Sequence, residues 1–388
     1  MLITVMDMKR AGINVNQPNQ YKAFVPKPLP PKPQLSFDRE TIDILSKADT
    51  AIGRLSGISE ALPNPNLFVA MYVRKEAVLS SQIEGTEASL EDVLEYESEN
   101  KPKTLPNDVA EVVNYVKAMN YGLKRIEDLP LSLRLIKEIH AELMHDVRGG
   151  DKAPGDFRKT QNWVGPKGCT LSNARFVPPP PYEMTQALGD LEKYMHSHLS
   201  YPLLVECGLM HYQFETIHPF LNGNGRVGRL LIAFFLCHKK ILKKPLLYLS
   251  HYFKQNRLEY YDRLMAVREK GDFESWIKFF LRGVASVAKE ACRASAKIID
   301  LKDKDKKKVI EIYKESSKAA IFYEKLFDRP IVSIKDIAKI MNMTFPTASD
   351  VCIKLTKINV LSEITGKERN KLFAYKKYLD ILKQETAA

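Results

Sequence analysis

The chain has 388 residues, 45% hydrophobic and 27% charged, which excludes a wholly disordered polypeptide and leaves room for roughly two or three domains of ~150 residues. Its 59 basic and 47 acidic residues leave a net +12, basic enough to suggest an anionic partner and too mild to name one. The longest apolar run (Leu230 to Cys237) is too short for a bilayer, Met1 to Arg10 has no apolar signal core, and five scattered cysteines form no CxxC pair; we expect a cytoplasmic protein without membrane, disulfide framework or structural zinc.

The first boundary is Pro26 to Pro33, with five prolines in eight residues. Such a segment cannot be helical and is expected to run extended, as a PxxP ligand or as an arm packed on its own domain. From Asp38 to about Glu99, apolar residues recur at helical spacing (Ile42, Leu45, Ala48, Ile52, Leu55, then Phe68, Tyr72, Leu79), and Pro63 and Pro65 divide the stretch into two helices. Further helices are expected over Pro106 to Lys124 and Ser132 to Leu143. Gly149 to Pro181 is rich in Gly, Pro and Asn and reads as a β-hairpin or ordered loop. Helices resume at Tyr182 and reach about Ile299.

Asp300 to Lys308 is almost devoid of apolar residues and reads as a linker or the start of a solvated helix. Beyond it, Ser333 to Ile340 reads as a helix, Met341 to Met343 as a turn and Pro346 to Ile358 as a second helix. Val360 to Tyr375 reads as a hairpin around Thr365-Gly366-Lys367. That order is the pattern of a winged helix. From Arg293 onwards there are 21 Lys and Arg against 13 Asp and Glu, so a net +8 of the +12 sits in the last quarter. The fold class expected is mainly α with a small β-hairpin and a C-terminal winged helix. The expected domains are an N-terminal helical region (1–105), a core (106–300) and the winged helix (301–388).

One segment carries chemistry: His218-Pro219-Phe220-Leu221-Asn222-Gly223-Asn224-Gly225-Arg226-Val227-Gly228-Arg229. It is a loop feeding the N-terminus of a helix, where unpaired N–H groups and the positive end of the dipole face outward. Gly223 and Gly225 let the backbone turn tightly and approach a ligand, and successive N–H groups can form an anion nest. Arg226 and Arg229, three apart, share a helix face and would clamp phosphate. Asn222 offers an oxygen to Mg²⁺. His218, with an ordinary pKa near ~6.5, suits a general base. Taken singly, a histidine, a GxG and two arginines are ordinary structural features. Together within twelve residues they point to phosphoryl or nucleotidyl transfer to a hydroxyl.

The segment matches HxFx(D/E/N)GNGRxxR at every specified position and so resembles the Fic family. Gly155 to Arg158, Gln161 to Gly165 and the Pro178–Pro181 run resemble that family's flap, at about 155–180. Most of residues 15 to 290 resembles Fic proteins with an N-terminal region. The resemblance implies adenylylation: AMP passes from ATP to a Ser, Thr or Tyr hydroxyl of a protein, the chain itself included, and pyrophosphate leaves. It implies His218 as general base, Asn222 at the Mg²⁺ position, Gly223, Asn224 and Gly225 as anion hole, and Arg226 and Arg229 on the β- and γ-phosphates. Val164, Gly165, Pro166 and Lys167 would be the flap over the nucleotide, and Tyr260 the aromatic residue near adenine. The Mg²⁺ position is usually acidic in the family. The neutral Asn222 is expected to weaken Mg²⁺ binding and to allow other metals such as Mn²⁺. A homodimer is compatible with the resemblance.

Ser80-Ser81-Gln82-Ile83-Glu84-Gly85 closes a helix expected at about 70–85. Ser80 and Glu84 share a face, and Gly85 is a helix-ending residue. On spacing alone this is a surface carboxylate on a capped helix. The stretch also matches the family's inhibitory motif, (S/T)xxxE(G/N), which implies that Glu84 pairs with Arg229, excludes the γ-phosphate and in some members positions water to remove AMP.

Three other readings were weighed. His196, His198 and His211 lack the carboxylate or cysteine spacing of a metal site. The Pro346 to Ile358 helix, with Lys354 and Lys357, and the wing residues Arg369 and Lys371, raise a DNA-binding regulator as an alternative function. Relatives in the family also transfer UMP, GMP, phosphate or phosphocholine.

Overall fold

The computed structural model describes residues 9–61, 65–97, 106–150, 152–166, 168–197, 200–313, 317–366 and 370–384. Pro63, Lys167, His198, Lys367 and Arg369 lie outside the described residues.

The chain opens with a hairpin that the periodicity did not announce. Strands β1 (Gly12–Asn16) and β2 (Lys22–Pro26) pair antiparallel from Gly12↔Pro26 to Asn16↔Lys22. The proline segment that follows has no regular structure and packs on its own domain. The Pro33 carbonyl accepts Arg10 Nε at 2.7 Å, and the Lys27 carbonyl accepts Gln213 Nε2 at 2.9 Å.

Helices α1 (Arg39–Ala61) and α2 (Pro65–Ile83) lie on either side of the expected proline break, and α3 (Leu90–Glu97) is a separate short helix. Then come α4 (Asn107–Arg125) and α5 (Leu133–Leu143), the latter capped by Ser132, whose Oγ accepts the Leu135 N–H. The expected flap hairpin shrinks to one bridge, in which Val164 and Phe176 exchange two backbone hydrogen bonds of 2.8 and 3.0 Å. Around it the chain is held by turns, such as Asn173 Oδ1 accepting the Thr170 N–H.

After α6 (Pro181–His196) come α7 (Leu203–Ile217) and α8 (Asn224–His238), which pack together at the centre. Nearly every residue of both is buried, so neither has a polar stripe: they are core helices rather than surface ones. Helices α9 (Ser250–Gln255) and α10 (Arg257–Lys270) complete the core.

Of the two readings of 300–308, a linker or the start of a solvated helix, the segment is helical, but it lies inside a longer helix rather than at its start. Helix α11 runs unbroken over Phe273–Tyr313, 41 residues. Its charged stretch is helical because its charges find partners. Asp305 is 1% exposed and accepts from Tyr375 Oη at 3.1 Å and pairs with Lys308 at 2.6 Å, and Lys302 pairs with Glu324. Beyond it lie α12 (Ser317–Lys325), β3 (Ile331–Ser333), α13 (Ile334–Ile340), α14 (Phe345–Lys357), β4 (Ser362–Glu363), β5 (Leu372–Ala374) and α15 (Lys376–Gln384). The three strands form an antiparallel sheet in the order β3-β5-β4, and Ser333 and Asp336 form a capping box at α13.

Candidate active site

Helix α7 ends at His218, which takes left-handed φ 50°, ψ 61° because Pro219 cannot continue the helix. Such a conformation in a non-glycine residue is strained and must be held from outside. The His218 carbonyl accepts Arg158 Nε at 3.0 Å and Asn162 Nδ2 at 3.2 Å. Both donors come from the segment that resembled a flap, so its first half supports the His218–Arg229 loop.

The loop is stapled within itself. Asn224 is 2% exposed; its Oδ1 accepts the Phe220 N–H at 2.8 Å and its Nδ2 donates to the Phe220 carbonyl at 2.7 Å. Gly223 then adopts φ 78° ahead of the first turn of α8. His140 of α5 ties the loop from below. Its Nδ1 accepts the Gly155 N–H at 2.8 Å, which leaves Nε2–H to donate to the Asn222 carbonyl at 3.0 Å. The ring is stacked on Phe220 with centroids 3.7 Å apart, and burial pushes its pKa down to about 4, so it stays neutral.

A cavity of about 340 Å³ opens over this loop. Of the residues singled out in the sequence, it brings together Glu84, Val164, Gly165, His218, Asn222, Gly223, Asn224, Gly225, Arg229 and Tyr260. Ser80 stands behind it, with its Oγ and carbonyl accepting Arg229 Nε at 2.8 Å and Nη2 at 3.0 Å. Pro166 is not on the wall.

Arg226 is also not on the wall. It turns to Glu111 of α4, with Nη1 donating to Oε2 at 3.1 Å, and both side chains are almost fully buried. Arg148 Nε lies 3.2 Å from the other carboxylate oxygen, an ion pair without hydrogen-bond geometry. Glu111→Ala would strand a buried guanidinium, and removing one partner of such a pair costs about 3–5 kcal/mol. A lowered thermal midpoint is expected, and an unchanged one would mean the pair is not structural.

Arg229 holds Glu84. Its Nη2 donates to Glu84 Oε1 at 2.7 Å. Glu84, a residue of the cavity lining, exposes 36% of its side chain, while Arg229 exposes 1%. Partial removal from water works against the Glu84 charge, but Arg229, and more weakly Arg226, outweigh it and hold the carboxyl below its ordinary range. A Cβ on Gly225 would fall 2.3 Å from Glu84 Oε1. The close approach that Gly225 permits is thus to a carboxylate of the chain itself, resting on the N-terminus of α8.

His218 Nδ1 faces the Glu215 carbonyl at 3.4 Å. A carbonyl only accepts, so Nδ1 carries the proton and Nε2 is left as the basic nitrogen. Burial, then the charges of Arg268 and Arg158, push its pKa down to about 4. Tyr260 is 1% exposed and its hydroxyl donates to His211 Nε2 at 2.9 Å, since His211 Nδ1–H is committed to the Gly228 carbonyl at 3.0 Å. Tyr260 therefore offers the cavity only its ring, and Tyr261 and Leu264 extend that wall. His211 is a core residue with both ring nitrogens engaged, and among the described residues no group of three or more His, Cys, Asp or Glu could hold a metal ion. Arg268 stacks on Phe176 at 3.7 Å and closes the far end.

Glu111, His140, Arg158, Glu215 and Arg268 escaped the sequence reading. For Glu111 the one signal was a polar residue on an otherwise apolar helix face, among Val109, Val112 and Tyr115, and Arg158 was visible only as part of the flap-like block.

Residues 42–124 match the Fic/DOC family N-terminal model and residues 130–236 the Fic/DOC family model. A probable protein adenylyltransferase of Aquifex aeolicus (strain VF5) is 28% identical over 181 residues, 45% of this chain and 51% of its own length. Protein adenylyltransferase Fic of Drosophila grimshawi is 30% identical over 172 residues, 44% and 32% of the two lengths. The chain thus spans about half or less of these relatives. Among solved structures, a Fic family protein from Desulfovibrio desulfuricans G20 superposes with a TM-score of 0.55 at 17% identity, covering 88% of this chain and 97% of that one, a likeness of fold.

Proposed function

The chain belongs to the Fic/DOC family, and on that premise we propose that it is a protein adenylyltransferase that moves AMP from ATP to a Ser, Thr or Tyr hydroxyl of a protein and is restrained by Glu84. The observation that carries this reading is the carboxylate of Glu84, gripped by Arg229 at 2.7 Å over the Gly223–Gly225 turn. An anion of the chain's own rests where a phosphate would be bound. Relatives named as protein adenylyltransferases support the same reading.

In the reaction, His218 Nε2 takes the proton of the target hydroxyl while Nδ1–H stays on the Glu215 carbonyl. The hydroxyl oxygen bonds to the α-phosphorus, the bond from that phosphorus to the bridging oxygen breaks, and pyrophosphate leaves. The N–H groups at the start of α8 and the Arg229 guanidinium stabilise the charge on the phosphates. Val164 and Gly165 wall the cavity opposite the loop. With Glu84 in place, the γ-phosphate would meet a like charge, and ATP would bind in a pose unsuited to in-line attack. The same carboxylate could hold a water for the reverse removal of AMP.

A divalent cation, Mg²⁺ or Mn²⁺, fits at Asn222. Its Oδ1 lies on the cavity wall, accepts the Gly223 N–H at 2.8 Å and keeps a second lone pair. When bound, the cation supplies charge neutralisation to the phosphates. Asn222→Asp adds the missing charge and should lower the Mg²⁺ concentration needed for half-maximal transfer about tenfold, an energy of ~1.4 kcal/mol. An unchanged requirement would remove Asn222 from metal binding.

The direct test is labelling with ATP carrying the label on the α- or γ-phosphate. AMP transfer marks protein only from the α-label; marking from the γ-label alone would mean phosphate transfer instead. The DNA-binding alternative draws little support from the C-terminal unit. Helix α14 turns Phe345 and Ile353 to solvent and its Lys354 is paired with Asp350 at 2.7 Å, while the wing residue Arg369 lies outside the described residues.

A further inference from the structure

Glu215 has no part in the mechanism beyond its main-chain carbonyl, yet the residue lines the cavity. The residue is 8% exposed. Its Oε1 is sealed from water and has no hydrogen-bond partner. It lies against Gly228 of α8, where a Cβ would fall 2.2 Å from that oxygen. A side chain there would push the carboxyl away, so the glycine keeps it in place.

Arg229, Glu84 and Arg268, all of the same cavity lining, act on its charge. Tyr260 and Tyr261 feel it in turn. Burial pushes its carboxyl up to about 7, with Arg229 pulling the other way. An acceptor oxygen left unbonded on a residue of the cavity lining calls for a partner that the empty protein does not supply. Arg229, Tyr261 and Glu215 line the same cavity, so a nucleotide held by the first two would lie alongside the third.

We propose that Glu215 reads the nucleoside: its carboxyl accepts a hydrogen bond from a donor of the bound nucleotide, a ribose hydroxyl or the exocyclic amine of the base. This rests on the transfer reading above and names the residue that would set its choice of nucleotide. Tyr260 cannot do so with its hydroxyl, which is committed to His211.

The test compares ATP with 2′-deoxy-ATP, 3′-deoxy-ATP and inosine triphosphate, which bears an oxo group in place of the amine. Labelling kcat/KM is measured in Glu84→Gly protein, alone and with Glu215→Ala or the isosteric Glu215→Gln. Without the Glu215 change, the analogue lacking the donor should be used about tenfold or more less well than ATP, because the carboxyl is left unpaired. Glu215→Ala should erase that difference, with Glu215→Gln between. A deficit with a deoxynucleotide assigns the ribose, and one with inosine triphosphate the base. Equal use of all four nucleotides, or discrimination that survives both Glu215 changes, overturns the proposal. Absence of transfer from every nucleotide would instead overturn the transfer reading, and the same ratios would then be taken from equilibrium binding.

Discussion

His218→Ala should abolish protein labelling from ATP while leaving ATP affinity nearly intact. The imidazole lies beside the phosphate cradle rather than in it; the anion sits with Arg229 and the α8 N-terminus. A positioned general base is worth about 10²–10⁴-fold, so the loss should reach at least that range. Calorimetry with ATP separates the outcomes, since lost binding would make His218 a ligand, and retained transfer would sink its assignment as base. The pH dependence is a second check. Burial, with Arg268 and Arg158 adding to it, pushes the imidazole to about 4, so its basic form is present at pH 7. Transfer limited by this group should persist to about pH 5 and fall as the pH drops through 4.

Glu84→Gly should raise transfer on the order of tenfold or more, since each ~1.4 kcal/mol of lost competition for the γ-phosphate position is a factor of ten. The change takes the carboxylate partner from Arg229 Nη2, which keeps the Ser80 carbonyl, and removes the negative charge above Gly225. Arg229 keeps Nε on Ser80 and stays in place. Because Arg229 holds Glu84 below the usual carboxylate range, the restraint is fully charged at neutral pH, and modest acidification should not release it. Purified Glu84→Gly that labels no faster than the parent would end the idea of a restraint. A faster rate lost again on adding His218→Ala would tie both residues to one reaction.

The signature loop was legible because its signals are local. A glycine at φ 78° and a proline after a histidine act within a few residues. The partner of each charged group was not legible, because it comes from elsewhere in the chain. Glu111 reaches Arg226 across 115 positions, so two arginines on one helix face that read as one clamp are divided between a core ion pair and a cavity. Charge composition misled at 300–308 for the same reason. Asp305 and Lys302 look like solvent-loving residues in sequence and are among the most buried charges in the fold. The hairpin at 12–26 was missed because it packs as an edge, with Phe24 N–H donating to the Val177 carbonyl at 2.9 Å, and carries little periodicity of its own.

The unbroken α11 has a mechanical meaning. It begins at Phe273, beside the core around Trp276 and His211, and ends among the residues that hold the C-terminal unit. At about 1.5 Å and 100° per residue, it is a rod roughly 60 Å long with a fixed phase. A flexible tether would let the tail swing freely and would tolerate changes in length. Here one residue gained or lost would rotate the tail by more than a quarter-turn about the rod. The C-terminal unit is therefore set at a fixed distance and direction from the cavity, and the spacing between the two is a constant of the fold rather than slack between its parts.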